Sequence, residues 1–165
     1  MAYQIILYLH VASALGFFLF HGATASASYG LKREQGRESI KLLLKMRESG
    51  GVVGGISMMV SLISGIVLGF MGRFWSEAWI WIAIVVFLVI SFVMGGYGRN
   101  NFDRISYMID PEKYKSPRDK KGEEPIPATD EELAAEQAKG RPMLLTITGF
   151  AALGLILWLM MFQPF

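Results

Sequence analysis

Two histidines, His10 and His21, are the only side chains besides tyrosine that can ionise within the long uncharged runs of this sequence. They stand eleven residues apart. On an α-helix that spacing is a net rotation of about 20° and a rise of about 16 Å. Both imidazoles therefore project from nearly one face, with Ala14, Phe17 and Phe18 between them. They are too far apart to share one ion, but each suits a separate group. Imidazole is the axial ligand of haem iron and also binds copper, and an ionisable residue inside a membrane-spanning run marks function by default. The cofactors implied are haem b or copper, at His10 and at His21, with His10 the stronger metal ligand candidate. Partners for a second coordination position are few. Met58, Met59, Met94, Met160 and Met161 offer thioethers, which suit haem or a soft copper ion but also fill gaps in cores. A second subunit is the other source. The competing reading leaves both imidazoles neutral and hydrogen-bonded to Ser, Thr or backbone carbonyls of a neighbouring helix. It outweighs the cofactor reading, more so at His21, which falls near the cytoplasmic surface.

Other chemistry is missing. The chain has no cysteine, no Gly-rich phosphate loop, no His-Glu-x-x-His pair and no carboxylate in its uncharged runs. Ser57, Ser61 and Ser64 have no acid–base partner there except the histidines, so a rhomboid-type hydrolase is not supported. A transporter would carry intramembrane carboxylates or broken helices, and ranks last. No independent catalytic activity is expected, and nothing points to nucleic acid.

The elements that must position the histidines are set by charge segregation. All 16 Lys and Arg and all 14 Asp and Glu fall within Lys32–Glu48, Arg73–Glu77 and Arg99–Arg141. The four intervals between them are uncharged, and each exceeds the roughly 20 apolar residues needed to cross a hydrocarbon layer of about 30 Å. The pattern predicts an all-α integral membrane four-helix bundle, a single membrane domain with spans near 3–30, 51–71, 78–98 and 142–162. The first run lacks the basic start of a cleaved signal peptide and is too long for one, despite Ala23-Thr24-Ala25, so it is read as retained. Six basic residues lie in 32–48, nine in 99–141, and only Arg73 in the turn 72–77. Fifteen against one places the two large loops in the cytoplasm and both termini outside, across a bacterial inner membrane. Trp75, Trp79, Trp81 and Trp158 then gather at one interface, where aromatic rings settle.

Within the cytoplasmic loops, Ile40, Leu43, Leu44 and Arg47 follow helical spacing and predict a short amphipathic helix, either in the interface or continuing the first span. Phe102, Ile105, Met108 and Ile109 suggest an extension of the third span. Pro111–Pro127 is too polar to offset its ordering entropy. Thr129 and Glu132 have the spacing of a capping box, Gly140 ends the helix it opens, and Pro142 suits the first turn of the last span.

Small residues recur every four positions: Ser57, Ser61, Gly65 and Gly69 in the second span, Gly22, Ser26 and Gly30 in the first. Such stripes let helices approach closely in lipid. Packing within the subunit is the expected use, with a homo-oligomer or another membrane subunit as the alternative. The second span is expected at the centre of the bundle.

The run Leu9-His10-Val11-Ala12-Ser13-Ala14-Leu15-Gly16, with Gly65-Ile66-Val67-Leu68-Gly69, Phe74-Trp75 and Trp79-Ile80-Trp81, resembles an uncharacterised bacterial four-helix membrane family, itself similar to the membrane part of copper-resistance D-type proteins. The resemblance spans about residues 1–100 and implies a metal ligand at His10. Phe17-Phe18 stands where that family often has a tryptophan. Three functions remain open: an accessory or scaffolding subunit of an inner-membrane, energy-converting complex; a small haem- or copper-binding membrane protein; and a small-molecule transporter. A reporter fused after Phe165 is expected to read as external; a cytoplasmic reading would overturn the orientation.

Overall fold

The computed structural model describes residues 1–114 and 128–164, and the side chains of 97–100 are not among those described. The described chain forms α1 (Ala2–Arg33), α2 (Arg37–Gly72), a 3-10 turn (Phe74–Ser76), α3 (Ala78–Ile109), α4 (Asp130–Ala138) and α5 (Pro142–Phe162). Four stretches are long and apolar enough to cross a membrane: α1, α2, α3, and the Asp130–Phe162 stretch that holds α5. Most of 111–127, expected from composition to build no core, lies outside the described residues.

Local chemistry sets the breaks. After α1 the Glu34 carboxylate accepts the N–H groups of Gln35 and Gly36, both at 3.1 Å, and turns the chain back. α2 stops at Arg73, whose left-handed backbone (φ 59°) lets its N–H reach the carbonyls of Gly69 and Phe70. α4 opens with the full capping box: Glu132 N–H donates to Thr129 Oγ1 at 3.3 Å and Thr129 N–H to Glu132 Oε2 at 2.9 Å. Pro142 stands in the first turn of α5.

Two expectations need correction. The second span is not at the centre of the bundle: α2 packs along α1, and it is α1 that lies between α2 and α5. Residues 37–47 form neither a separate interfacial helix nor a continuation of α1; they are the opening turns of α2. Two of the glycines after them, Gly50 and Gly54, are points where α1 comes close to that helix. A Cβ added at Gly50 would stand 3.2 Å from Thr24 Cγ2, and one at Gly54 would stand 3.4 Å from Phe20 Cβ. Among the described residues, α4 is the one short α-helix that stands on its own. Phe102, Ile105 and Ile109 do belong to the last turns of α3.

α1 packs along most of α2, α3 packs on α5, and α1 also meets α5, whereas α2 and α3 touch little. The α2 stripe carries the first contact. Ser57 faces Gly16, Gly65 lies under the His10 ring, and Gly69 receives Trp75 and Ile80. The α1 stripe is divided: Gly22 faces Phe150 of α5, Gly30 faces Leu43 of α2, and Ser26 is exposed.

Buried clusters close the two ends. At the tryptophan end, Trp79, Ile80 and Ala83 of α3 pack with Leu159 of α5, beside Phe74 and Trp75. At the charged end, Leu31, Ile40, Leu44, Phe102, Ile105, Ile109 and Leu133 join four helices into one core. Polar bonds fasten that layer. Gln137 Nε2 donates to the carbonyls of Leu31 (2.6 Å) and Glu34 (3.0 Å), satisfying the end of α1. Arg37 pairs with Asp130 at 2.7 Å, and the Arg47 guanidinium lies 3.7 Å from the Phe102 ring centroid. Lys113 bonds Tyr114 Oη (2.8 Å) and Glu48 (3.3 Å), and these contacts, the tyrosine's first, hold its ammonium above the usual lysine range. Between the ends the outward side chains are apolar, with Phe92 85% exposed.

Ile40 is fully buried. Ile40→Ala is expected to lower stability in detergent by about 2–5 kcal/mol, as large-to-small core changes do. Phe92→Ala should shift it by no more than about 0.5 kcal/mol, and equal losses would show that the charged end is not a packed core.

Candidate functional site: the His10 cavity

α1 brings His10 onto the small-residue track of α2. An added Cβ at Gly65 would stand 3.0 Å from His10 Cε1 and 3.3 Å from Nδ1, so a side chain there would press on the ring edge that faces α2. His10 Nδ1 is 2.8 Å from the Ser61 carbonyl oxygen and 3.2 Å from Ser64 Oγ. A carbonyl only accepts, so Nδ1 carries the proton. The Ser64 hydroxyl is already committed to the Val60 carbonyl at 2.6 Å, which leaves its oxygen as a second acceptor. In the neutral ring Nε2 then holds a free lone pair, and it makes no hydrogen bond among the described residues. Fixing one imidazole nitrogen on a carbonyl is how metal-bound histidines are oriented.

The ring lines a cavity of about 210 Å³ between α1, α2, α3 and α5 towards the tryptophan end. The cavity exists because residues facing it are small: Ala14, Ser61, Gly65 and Ala83. Its wall also holds Met58 of α2 and Met160 of α5, both thioethers, and is otherwise almost wholly apolar. Ser91 Oγ approaches Met58 Sδ at 3.7 Å, which steadies that side chain from α3. For scale, an apolar cavity of about 150 Å³ binds benzene, and drug-sized ligands need about 300–1,000 Å³. A space of this volume holds an ion or a single ring. Among the described residues no three His, Cys, Asp or Glu converge on a metal position, so any further donors at His10 must be thioethers or a ligand's own atoms.

His21 sits elsewhere, although it shares a helix face with His10. α1 lies between α2 and α5, so a small rotation along it is enough to change neighbours. His21 packs edge-on to Phe150 with centroids 5.1 Å apart, tilts against Phe17 at 6.1 Å, and fills the space beside Gly149 of α5. Its Nε2 is sealed from solvent and has no hydrogen-bond partner among the described residues. Leaving such a group unpaired costs about 1–3 kcal/mol. The structure therefore separates the two histidines: one lines a cavity, the other fills a contact. Gly22, which packs on Phe150, helps build that second contact, and Gly30 and the exposed Ser26 belong to neither histidine.

Sequence reasoning missed Gly149, Gly50 and Gly54, whose neighbours lie on other helices and leave no local signal. Trp75, placed by its type at an interface, also packs on Gly69, with its indole Nε1 buried and without a hydrogen-bond partner among the described residues. The chain matches no protein-family model, no curated protein and no solved structure, so the site rests on its own geometry.

Gly149→Ala would drive a methyl into the His21 ring, with the ideal Cβ only 2.6 Å from Cε1. The variant is expected to lose thermal stability, and His21→Ala in the same chain should recover much of it. Residues in contact couple by about 0.5–3 kcal/mol, so strictly additive effects would deny the contact.

Proposed function

We propose that this chain is a multi-pass protein of a bacterial inner membrane, with its charged loops in the cytoplasm and both ends outside. Within it, His10 holds a soft metal ion, and copper(I) is the ion its donors suit. The reading is carried by one observation: His10, whose Nδ1 is bound to the Ser61 carbonyl at 2.8 Å and whose Nε2 has no hydrogen bond among the described residues, lines a cavity that Met58 and Met160 also line. Imidazole and thioether are the ligands that a soft cuprous ion selects, and the lack of carboxylates disfavours hard cations. An apolar wall also excludes competing water. The resemblance at Leu9–Gly16 to the membrane part of copper-resistance D-type proteins implies a ligand at the same position. Copper is preferred to haem because the chain's one other histidine, His21, packs against Phe150 and supplies no second imidazole. The protein's part would be to bind the ion, hold the imidazole in one tautomer and keep water out.

The test is copper analysis of protein extracted gently from its native membrane, followed by competition with a chromophoric cuprous chelator. Wild-type protein should hold copper(I), and His10→Ala should lose it. His10→Gln should regain stability, because an amide can replace the bond to Ser61, but should not regain the metal. Met58→Leu and Met160→Leu should each weaken binding. Equal copper retention by wild type and His10→Ala would end this reading.

A second reading, an accessory subunit of an inner-membrane assembly, draws on the packed layer at the charged end. Helices held together by Ile40, Phe102 and Leu133 give a partner a firm face rather than loose loops. Crosslinking in native membranes through Lys45 or Glu131 would find a reproducible partner if this holds.

A further inference from the structure

Where α1 ends and α5 begins, the charged end carries a groove of about 740 Å³ that neither histidine uses. Lys32, Arg33 and Arg141 edge it, and Met143, Leu144 and Ile147 form an apolar wall. The cations are largely unspent. Lys32 Nζ gives one hydrogen bond to the Gly140 carbonyl at 2.8 Å and keeps its other N–H groups. Arg33 and Arg141 are exposed and make no hydrogen bond or ion pair among the described residues. The nearby carboxylates are engaged elsewhere: Glu34 with its own backbone, Glu136 with Lys139 at 2.6 Å, and Asp130 with Arg37.

The groove's position gives it a direction. The uncharged run of α1 ends at Leu31 and that of α5 begins at Pro142, so the cations stand where charge gives way to apolar sequence. Just beyond them Met143, Leu144 and Ile147 are 64%, 52% and 56% exposed. In a bilayer this places the guanidinium groups at headgroup depth and the apolar wall at the depth of acyl chains. Guanidinium matches phosphate oxygens in paired hydrogen bonds, and basic pockets between helices on the cytoplasmic side select anionic headgroups.

We propose that this groove binds one anionic phospholipid of the cytoplasmic leaflet, its phosphate against Arg33 and Arg141 and its chains along Met143, Leu144 and Ile147. The proposal rests on the membrane placement given above but not on copper. A free phosphate shares the headgroup chemistry and would leave the wall unused, which separates the two sources experimentally.

The full chain in neutral detergent is titrated with phosphatidylglycerol, with phosphatidylcholine and with inorganic phosphate, and read by native mass spectrometry and thermal stability. Phosphatidylglycerol should be retained and should stabilise; the zwitterionic lipid and phosphate alone should do neither. Each basic residue near an anionic surface contributes about five-fold in binding, so Arg33→Gln with Arg141→Gln should weaken retention about thirty-fold. Lys41→Gln with Lys45→Gln removes the same charge from α2 and should change little. Equal weakening by both pairs would show diffuse attraction and overturn the site, as would unchanged retention in the arginine pair. Stabilisation by phosphate alone equal to that by lipid would overturn the lipid assignment. Orientation is read independently by the reporter after Phe165, so a lost groove and a misplaced topology give different results.

Discussion

The structure depends on how closely α1 can approach α2. The His10 ring rests on Gly65, Gly16 rests on Ser57, and Phe20 and Thr24 rest on Gly54 and Gly50. Lipid chains are as apolar as leucine, so helices in a bilayer associate through close packing and interhelical hydrogen bonds more than through exclusion from water. Here both act at one place. The short approach brings Nδ1 within reach of a carbonyl that its own helix already uses, and that bond selects the tautomer. The same small residues leave the space that becomes the cavity. Tight packing on one side of α1 and open volume on the other have a common cause.

Much of the framework was legible because it follows from solvent. Uncharged runs of membrane length, tryptophans grouped at one end, the Thr129–Glu132 box and Pro142 are each local patterns with one physical meaning. The charged end was legible only in part: Ile40, Leu44, Phe102, Ile105 and Ile109 stand out as apolar helical faces, but not as one core with Leu31 and Leu133. Leu31, Ile40, Leu44, Phe102, Ile105, Ile109 and Leu133 are scattered among charges over a hundred residues, and only folding gathers them. The glycines at 50, 51, 54 and 55 carry no local sign of their separate roles. In α2, Gly50 and Gly54 are points of contact, while Gly51 and Gly55 face open space.

For the histidines, sequence gave the shared face and the kind of partner, a hydroxyl or a carbonyl on a neighbouring helix. It could not say that one face of α1 touches two different helices in turn. His10 meets Ser61 and His21 meets Gly149 because α1 lies in the crevice between α2 and α5. One spacing therefore produced two unlike environments, one with room beside the ring and one without. The thioethers were visible as candidates, but only the fold places Met58 and Met160, which are far apart in sequence, on the wall that His10 also lines.

The 36 residues of α2 run unbroken from Arg37 to Gly72, a rod of about 54 Å. That is nearly twice the thickness of a hydrocarbon layer of about 30 Å. Ile40, locked into the charged-end core, and Gly65, beside the His10 ring, are thus points on one continuous rod that α1 contacts at Leu43, Gly50, Gly54, Ser57 and Gly65. A helix of that length cannot lie wholly within such a layer while standing upright, so the charged-end core and the His10 cavity would fall at different depths of any bilayer that α2 crosses.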